Sequence, residues 1–184
     1  MEGKDDDRRI VVDRIEDKTP EEAAMEVLEK TVMNGNRLLV PVDVKTVASA
    51  LHLDYQPLPL EPNVDGLLVK DKPNAPFKAV VNVNENVRRQ RFTLAHEIGH
   101  FVHQYQDHPD DQPMGKTEYR DELSSTGKDR NEIWANQFAA ALLMPRFVML
   151  NLWSRGKSVK EIADLLRVSV RSVVIRLDNL GLTK

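Results

Sequence analysis

Three residues near the middle of the chain have the types and the spacing of a metal-dependent hydrolase site. His96, Glu97 and His100 form the pattern H-E-x-x-H within a segment whose apolar residues recur with the period of a helix. Two histidines four residues apart lie on one helix face, so both imidazoles can bind one ion, with the glutamate beside its open position. A bound zinc ion lowers the pKa of its water toward about 7, and Glu97 can accept that proton. The same residues also fit an amphipathic helix with two surface or core histidines.

A catalytic zinc site needs a third protein ligand and one open position. The extended metzincin pattern would require a third histidine at position 106, where this chain has Gln106, so that class is excluded. The better candidate is Glu132, on a predicted helix over residues 129–144 that is apolar enough to pack against the first one. The alternative is that Glu132 is a solvated helix residue.

Two further side chains are candidates for supporting roles around this site. Asn136 follows Glu132 by one helical turn, so its amide could hydrogen-bond a ligand histidine or the carboxylate. His103 follows His100 by three residues and could stabilise the oxyanion or a product amine. The alternatives are a helix-surface amide and a solvent-facing histidine, and we favour the latter for His103.

The remaining helices and strands are predicted from helix caps, from the spacing of apolar residues, and from the proline and glycine residues that interrupt it. Thr19 and Glu22 form a capping box that starts a helix, and Asp43 caps a second one. Proline- and glycine-rich texture then predicts three strands, at about 53–59, 65–70 and 77–83, in a small antiparallel sheet. Its exposed edge, taken as 77–83, could hold a substrate as an added strand. Residues 106–128 are interpreted as a mobile surface loop.

Composition narrows the class of protein further. The 184 residues contain no cysteine, which excludes disulfides and thiolate metal sites, so a metal must be held by histidine and carboxylate. No apolar run reaches 18 residues and the charged N-terminus does not resemble a secretory signal. We therefore expect a cytoplasmic protein without a membrane partner.

The C-terminal segment differs in charge from the rest of the chain. Residues 146–184 hold 8 basic and 3 acidic side chains, against 18 and 26 in residues 1–145. Helices predicted at 158–166 and 170–179 resemble a helix-turn-helix unit, with Arg167 where such units usually have a glycine. Arg171 and Arg176 could meet phosphates, so direct DNA binding through 155–184 is one reading. We favour structural support or substrate docking, with five apolar positions in the core: Ile162, Leu165, Val168, Val173 and Leu177.

The segments RFTLAHEIGHF (91–101) and NEIWANQFAAALLMP (131–145) together resemble the ImmA/IrrE family of metallopeptidases. The likeness extends over about residues 38–182. It implies an α+β fold with a zincin-like core, in which a small antiparallel sheet lies beside the H-E-x-x-H helix and a helix-turn-helix-like segment follows. It also implies a gluzincin-like site with His96, His100 and Glu132 as ligands and Glu97 as general base, holding Zn2+ or alternatively Mn2+.

The resemblance further implies a substrate class: a helix-turn-helix repressor of a mobile element or stress regulon, cleaved to derepress transcription. Two alternatives stay open, the toxin of a toxin–antitoxin pair and a non-catalytic regulator that binds DNA or a repressor. By this reading the chain divides into a charged tail (1–18), a metallopeptidase core (19–145) and the helix-turn-helix-like segment (146–184). Residues 1–37 lie outside the resemblance.

Overall fold

The computed structural model describes residues 18–72, 75–105 and 130–183 of the chain. The predicted mobile loop at 106–128 lies outside these residues, as does the predicted tail except for Lys18. The described residues form an α+β fold, as predicted. Its elements in chain order are α1 (Pro20–Thr31), α2 (Val44–Ala50), β1 (Asp54–Leu58), β2 (Gly66–Val69), β3 (Lys78–Asn82), α3 (Val87–His100), a π-helical turn (Phe101–Tyr105), α4 (Arg130–Leu143), α5 (Arg146–Ser154), α6 (Val159–Leu166) and α7 (Val170–Asn179).

The predicted helix starts are confirmed at the level of individual hydrogen bonds. The Thr19 side chain accepts from the backbone N–H of Glu22, while the Glu22 carboxylate accepts from the backbone N–H of Thr19. The Asp43 carboxylate accepts from the backbone N–H groups of Lys45 and Thr46 at the start of α2. These contacts are local, which is why sequence pattern alone identifies them.

The sheet differs from the predicted antiparallel arrangement. Its strand order is β1-β3-β2, with β2 antiparallel to β3 but β1 parallel to it, so the sheet is mixed. The segment joining β1 to β2 crosses the end of β3, where the buried Asn82 side chain donates to the Val64 carbonyl at 2.8 Å and accepts from the Leu60 amide at 3.2 Å. Those bonds satisfy the polar groups of the crossing segment, which lets β3 lie between its two neighbours.

The strand predicted as an exposed edge is instead the centre of the sheet. β3 pairs on both sides, and Ala79 and Val81 within it are fully buried. The prediction of an edge at 77–83 is wrong because this is the most deeply buried of the three strands, and its apolar residues are covered on both faces. The edges of the described sheet are β1 and β2.

The sequence pattern did not predict helix α5. Pro145 ends the pattern of α4, as predicted, but the same residue occupies the N-cap position of α5. Proline has no amide hydrogen to offer to the helix before it, whereas its extended backbone suits the position before a new helix. The chain therefore turns at Pro145 and continues as a helix.

The C-terminal helices α6 and α7 share one hydrophobic core with the rest of the fold. Arg167 joins them in the left-handed conformation (φ 53°, ψ 46°). This is the conformation that a glycine usually adopts at the turn of a helix-turn-helix unit. Of the five apolar positions predicted for the core, the prediction for Leu165 is wrong, since this residue is 42% exposed. The other four are buried and contribute to the same apolar cluster as α1 to α4. The boundary at residue 145 stays a prediction.

Arg176 is buried instead of facing a nucleic acid. Only 7% of it is exposed, and its Nη2 donates to both carboxylate oxygens of Glu21 on α1 at 2.7 Å. Its Nε donates to the Met144 carbonyl, at the end of α4, at 3.0 Å. The reading in which Arg176 meets phosphates is therefore wrong, because its donors are committed to a clamp between α1, α4 and α7. Arg171, five residues earlier, is exposed.

Within the described residues, no single helix has both the length and the apolar composition needed to cross a bilayer. The helices Arg130–Leu143 and Arg146–Ser154 have that length and composition only when they are taken together, and a bend of 51° separates them.

The clamp predicts different effects for two arginines on the same helix. Arg176→Ala should lower the free energy of unfolding by about 1.5 to 3 kcal/mol, the usual range for hydrogen bonds to charged groups, because it strands the Glu21 carboxylate and the Met144 carbonyl. Arg171→Ala is the matched control and should change it little. Urea denaturation of the full chain measures both; equal effects of the two substitutions would contradict the clamp.

Candidate metal centre

The two histidines of the H-E-x-x-H pattern lie on the buried face of α3. The Asn86 side chain caps this helix, and the helix continues uninterrupted through His100. His96 and His100 are both buried, and their rings stand edge to face with centroids 4.6 Å apart. The i, i+4 spacing therefore places both imidazoles on one face, as predicted.

A close approach of α4 to α3 brings the carboxylate to the histidines. A Cβ added at Gly99 would lie 3.1 Å from the Ala135 Cα and 3.1 Å from the Phe138 ring, closer than nine in ten real Cβ contacts. Glu132 precedes Ala135 by three residues, so it lies about one turn from this point of contact. The absence of a side chain at Gly99 therefore sets the distance between α3 and the carboxylate of Glu132.

Three side chains converge with the geometry of a metal site. Glu132 Oε2 lies 3.3 Å from His96 Nε2, and Glu132 Oε1 lies 3.3 Å from His100 Nε2. All three ligand atoms fall within 4.8 Å of one another. Donors about 2.1 Å from a tetrahedral zinc ion are about 3.4 Å apart, so these spacings and this donor set suit a site with three protein ligands. The side chains can hold a divalent metal.

The far nitrogen of each histidine meets a side-chain amide. Asn136 Oδ1 lies 3.1 Å from His96 Nδ1, which places Asn136 beside a histidine, one of the two arrangements considered from sequence. Nε2 of Gln104, on the π-helical turn, lies 2.8 Å from His100 Nδ1. Sequence reasoning missed Gln104, although its spacing of four residues from His100 was an available signal. Both contacts leave Nε2 of each ring facing Glu132.

Glu97 is buried where α3 faces the start of β2. It is 1% exposed and belongs to α3, on the side that faces strand β2. A Cβ added at Gly66, the first residue of β2, would lie 3.3 Å from Glu97 Oε1 and only 2.5 Å from the Thr93 methyl group. Glycine at position 66 therefore lets the strand backbone approach the Glu97 carboxylate. The isolated glycine within a strand pattern was the signal that could have identified it.

His103 is placed differently from the solvent-facing position that we favoured. Its ring stacks on Trp134 with centroids 4.3 Å apart and an angle of 13°, and Trp134 stacks in turn on Phe138. Burial lowers the pKa of the His103 imidazole, and the nearby His100 adds to the shift. Among the described residues, its Nδ1 is buried without a hydrogen-bond partner. The His103 ring thus packs against α4 through Trp134. Its catalytic role stays a prediction.

This fold and this cluster define a class of protein: metallopeptidases in which an H-E-x-x-H helix faces a glutamate on a second helix. Residues 48–178 match the Peptidase M78 family, described as the IrrE N-terminal-like domain, and the chain belongs to that family. No curated protein matches the chain in sequence. The match spans β1 to α7 and thus contains every side chain of the cluster, so the family resemblance predicted from the two motifs is confirmed.

The contact at Gly99 predicts an effect on both stability and the site. Gly99→Ala should lower the free energy of unfolding by about 1 to 3 kcal/mol through overpacking, although alanine is the better helix former by about 1 kcal/mol. By moving α4 outward, it should also weaken metal binding. Denaturation and metal titration of the full chain measure the two effects. A more stable variant with unchanged metal binding would contradict the role of this contact in setting the distance between α3 and α4.

Proposed function

We propose that this protein is a zinc-dependent endopeptidase that cleaves a partner protein. The observation that carries the proposal is the convergence of His96, His100 and Glu132 on one point, with the buried Glu97 on the same helix. Family membership makes peptidase chemistry the activity to expect of such a cluster.

Each side chain has a role that follows from its chemistry. His96 and His100 would hold the ion through Nε2, and Glu132 through its carboxylate, which leaves one tetrahedral position open. A bound zinc ion supplies a water of lowered pKa and polarises the scissile carbonyl. Glu97 would take the proton of the attacking water and deliver it to the leaving amine as general base and then general acid. Its burial excludes bulk water from competing for that proton.

Zinc is the ion that the donor set favours. Two imidazoles and one carboxylate without a thiolate are found at catalytic zinc sites, and the chain has no cysteine that could compete for the metal. Mn2+ is the alternative, since it accepts oxygen ligands readily. Metal content after purification without added metal distinguishes the two.

The substrate that we propose is a helix-turn-helix repressor of a mobile element or stress regulon, in the cytoplasm, whose cleavage derepresses transcription. This substrate class rests on the resemblance to the ImmA/IrrE family, and the family match supports a protein substrate in general. Direct DNA binding through 155–184 has less support, because Arg176 is buried in an ion pair. In the segment 146–184, the clamp at Arg176 instead braces α4, which carries Glu132.

We expect one metal ion per chain. Protein purified without chelator should contain close to one equivalent of zinc by elemental analysis, and Glu132→Gln should weaken its binding because a neutral amide is a poorer ligand than a carboxylate. Glu29→Gln removes an exposed carboxylate on α1 and serves as the control, with full metal content expected. Full retention of zinc by a His96→Ala, His100→Ala double variant would refute the site.

Glu97→Gln should separate metal binding from catalysis. The variant should keep its metal, because Glu97 is no ligand in this proposal, and should lose roughly 10²- to 10⁴-fold in cleavage rate, the usual contribution of a general acid–base group. Incubation with a purified helix-turn-helix repressor that the wild type cleaves, followed by analysis of fragments, measures the rate. Glu61→Gln, at an exposed position, is the control and should cleave normally. Cleavage by Glu97→Gln at the wild-type rate would rule out this mechanism.

A further inference from the structure

Both candidate ligand histidines meet an uncharged amide at the nitrogen that faces away from Glu132. Asn136 contacts His96 Nδ1 at 3.1 Å from α4, and Gln104 contacts His100 Nδ1 at 2.8 Å from the π-helical turn. The two amides come from different elements, so no single local spacing produces the pair. Metal-binding histidines more often donate this N–H to a carboxylate, a backbone carbonyl or water.

We propose that Asn136 and Gln104 are positioning residues that hold both imidazoles in the tautomer with the proton on Nδ1, and that their neutrality limits the affinity for the metal. This inference rests on the proposed function, because it assumes that His96 and His100 bind an ion. It assigns to Gln104 a role that the sequence motif does not contain. It also gives the Asn136 contact a chemical consequence beyond orientation.

The tautomer at each ring depends on which amide atom meets Nδ1. At His96 that atom is Asn136 Oδ1, an acceptor, which matches a proton on Nδ1 and leaves the lone pair of Nε2 for a metal. At His100 the atom in contact is Gln104 Nε2, a donor, and a half-turn about the last bond of the Gln104 side chain brings its oxygen to the same point. With a metal on His100 Nε2 the proton lies on Nδ1, and the oxygen of Gln104 is the matching acceptor. The same tautomer is then fixed at both rings.

The effect on affinity follows from charge. A carboxylate that accepts the Nδ1 proton makes the imidazole more basic and a stronger ligand, whereas a neutral amide orients the ring with less change in its basicity. The buried Glu97 carboxylate already lies on the same helix as the two histidines. Amides in place of two further carboxylates keep the local negative charge, and hence the attraction for a cation, lower than in a carboxylate-supported site.

The backbone around Gln104 is restrained, as a positioning role requires. Val102 is fully buried, and His103 is stacked on Trp134, so both residues before Gln104 are packed against the fold. The π-helical turn that carries them is a rare conformation that occurs often at functional sites. The position of the Gln104 amide is therefore set by packing on both preceding residues.

Metal affinity of the full-length chain tests the proposal in both directions. Removal of each amide, in Asn136→Leu and Gln104→Leu, should weaken zinc binding roughly 10- to 100-fold, the usual cost of losing such a partner. Replacement by the nearly isosteric acid, in Asn136→Asp and Gln104→Glu, should tighten it several-fold. Gln137→Glu adds the same charge at the next, exposed position of α4 and is the control for general attraction. Competition with a chromogenic chelator measures each dissociation constant.

Two further measurements separate positioning from support of the fold. The thermal midpoint of each metal-free variant should stay close to that of the wild type, and long-range ¹H–¹⁵N spectra of the zinc-loaded wild type should show both rings protonated on Nδ1. Leucine variants that bind as tightly as the wild type would overturn the inference, as would acidic variants no tighter than Gln137→Glu. A wild-type chain that binds no zinc at all would overturn the proposed function together with it.

Discussion

The contact of α3 with α4 at Gly99 and Ala135 is the constraint on which the rest of the site depends. Because no side chain separates the helices there, the Glu132 carboxylate lies 3.3 Å from each histidine nitrogen. The same approach brings Asn136 to His96 and places Trp134 against His103. One missing Cβ thus sets the distance between the two halves of the site, and packing against the core keeps it.

The C-terminal helices support α4 from its far end. Arg176 binds the carbonyl of Met144 just after α4 and the carboxylate of Glu21 on α1, so a buried charge links three helices that are distant in the chain. A buried arginine is costly to leave without partners, which makes this arrangement specific even where its net contribution to stability is modest. In this fold the helix-turn-helix-like segment therefore acts as a brace for the helix that carries Glu132.

The site combines a concentrated set of polar groups with strong burial of its two histidines and of Glu97. His96, Glu97 and His100 are all buried, and buried polar groups need partners. Side chains from α4 and from the π-helical turn supply them to the histidines, while Gly66 allows β2 to close over Glu97. Electrostatic interactions inside such a site are stronger than in water. The fold thereby shields the two histidines and Glu97 from most solvent while leaving the candidate ligand atoms facing one another.

The sequence by itself determined the features that depend on neighbours in the chain. The caps at Thr19 and Asp43 and the shared face of His96 and His100 follow from spacings of a few residues, where local geometry leaves few choices. The motifs also sufficed to predict the family.

Only the tertiary structure decided the direction of β1, the central place of β3, the exposure of Leu165 and the burial of Arg176. Each depends on which surfaces meet across long stretches of chain, and hydrophobic periodicity does not encode that choice. The Asn136 contact has the same origin, since the packing of α4 against α3 at Gly99 fixes where its amide lies.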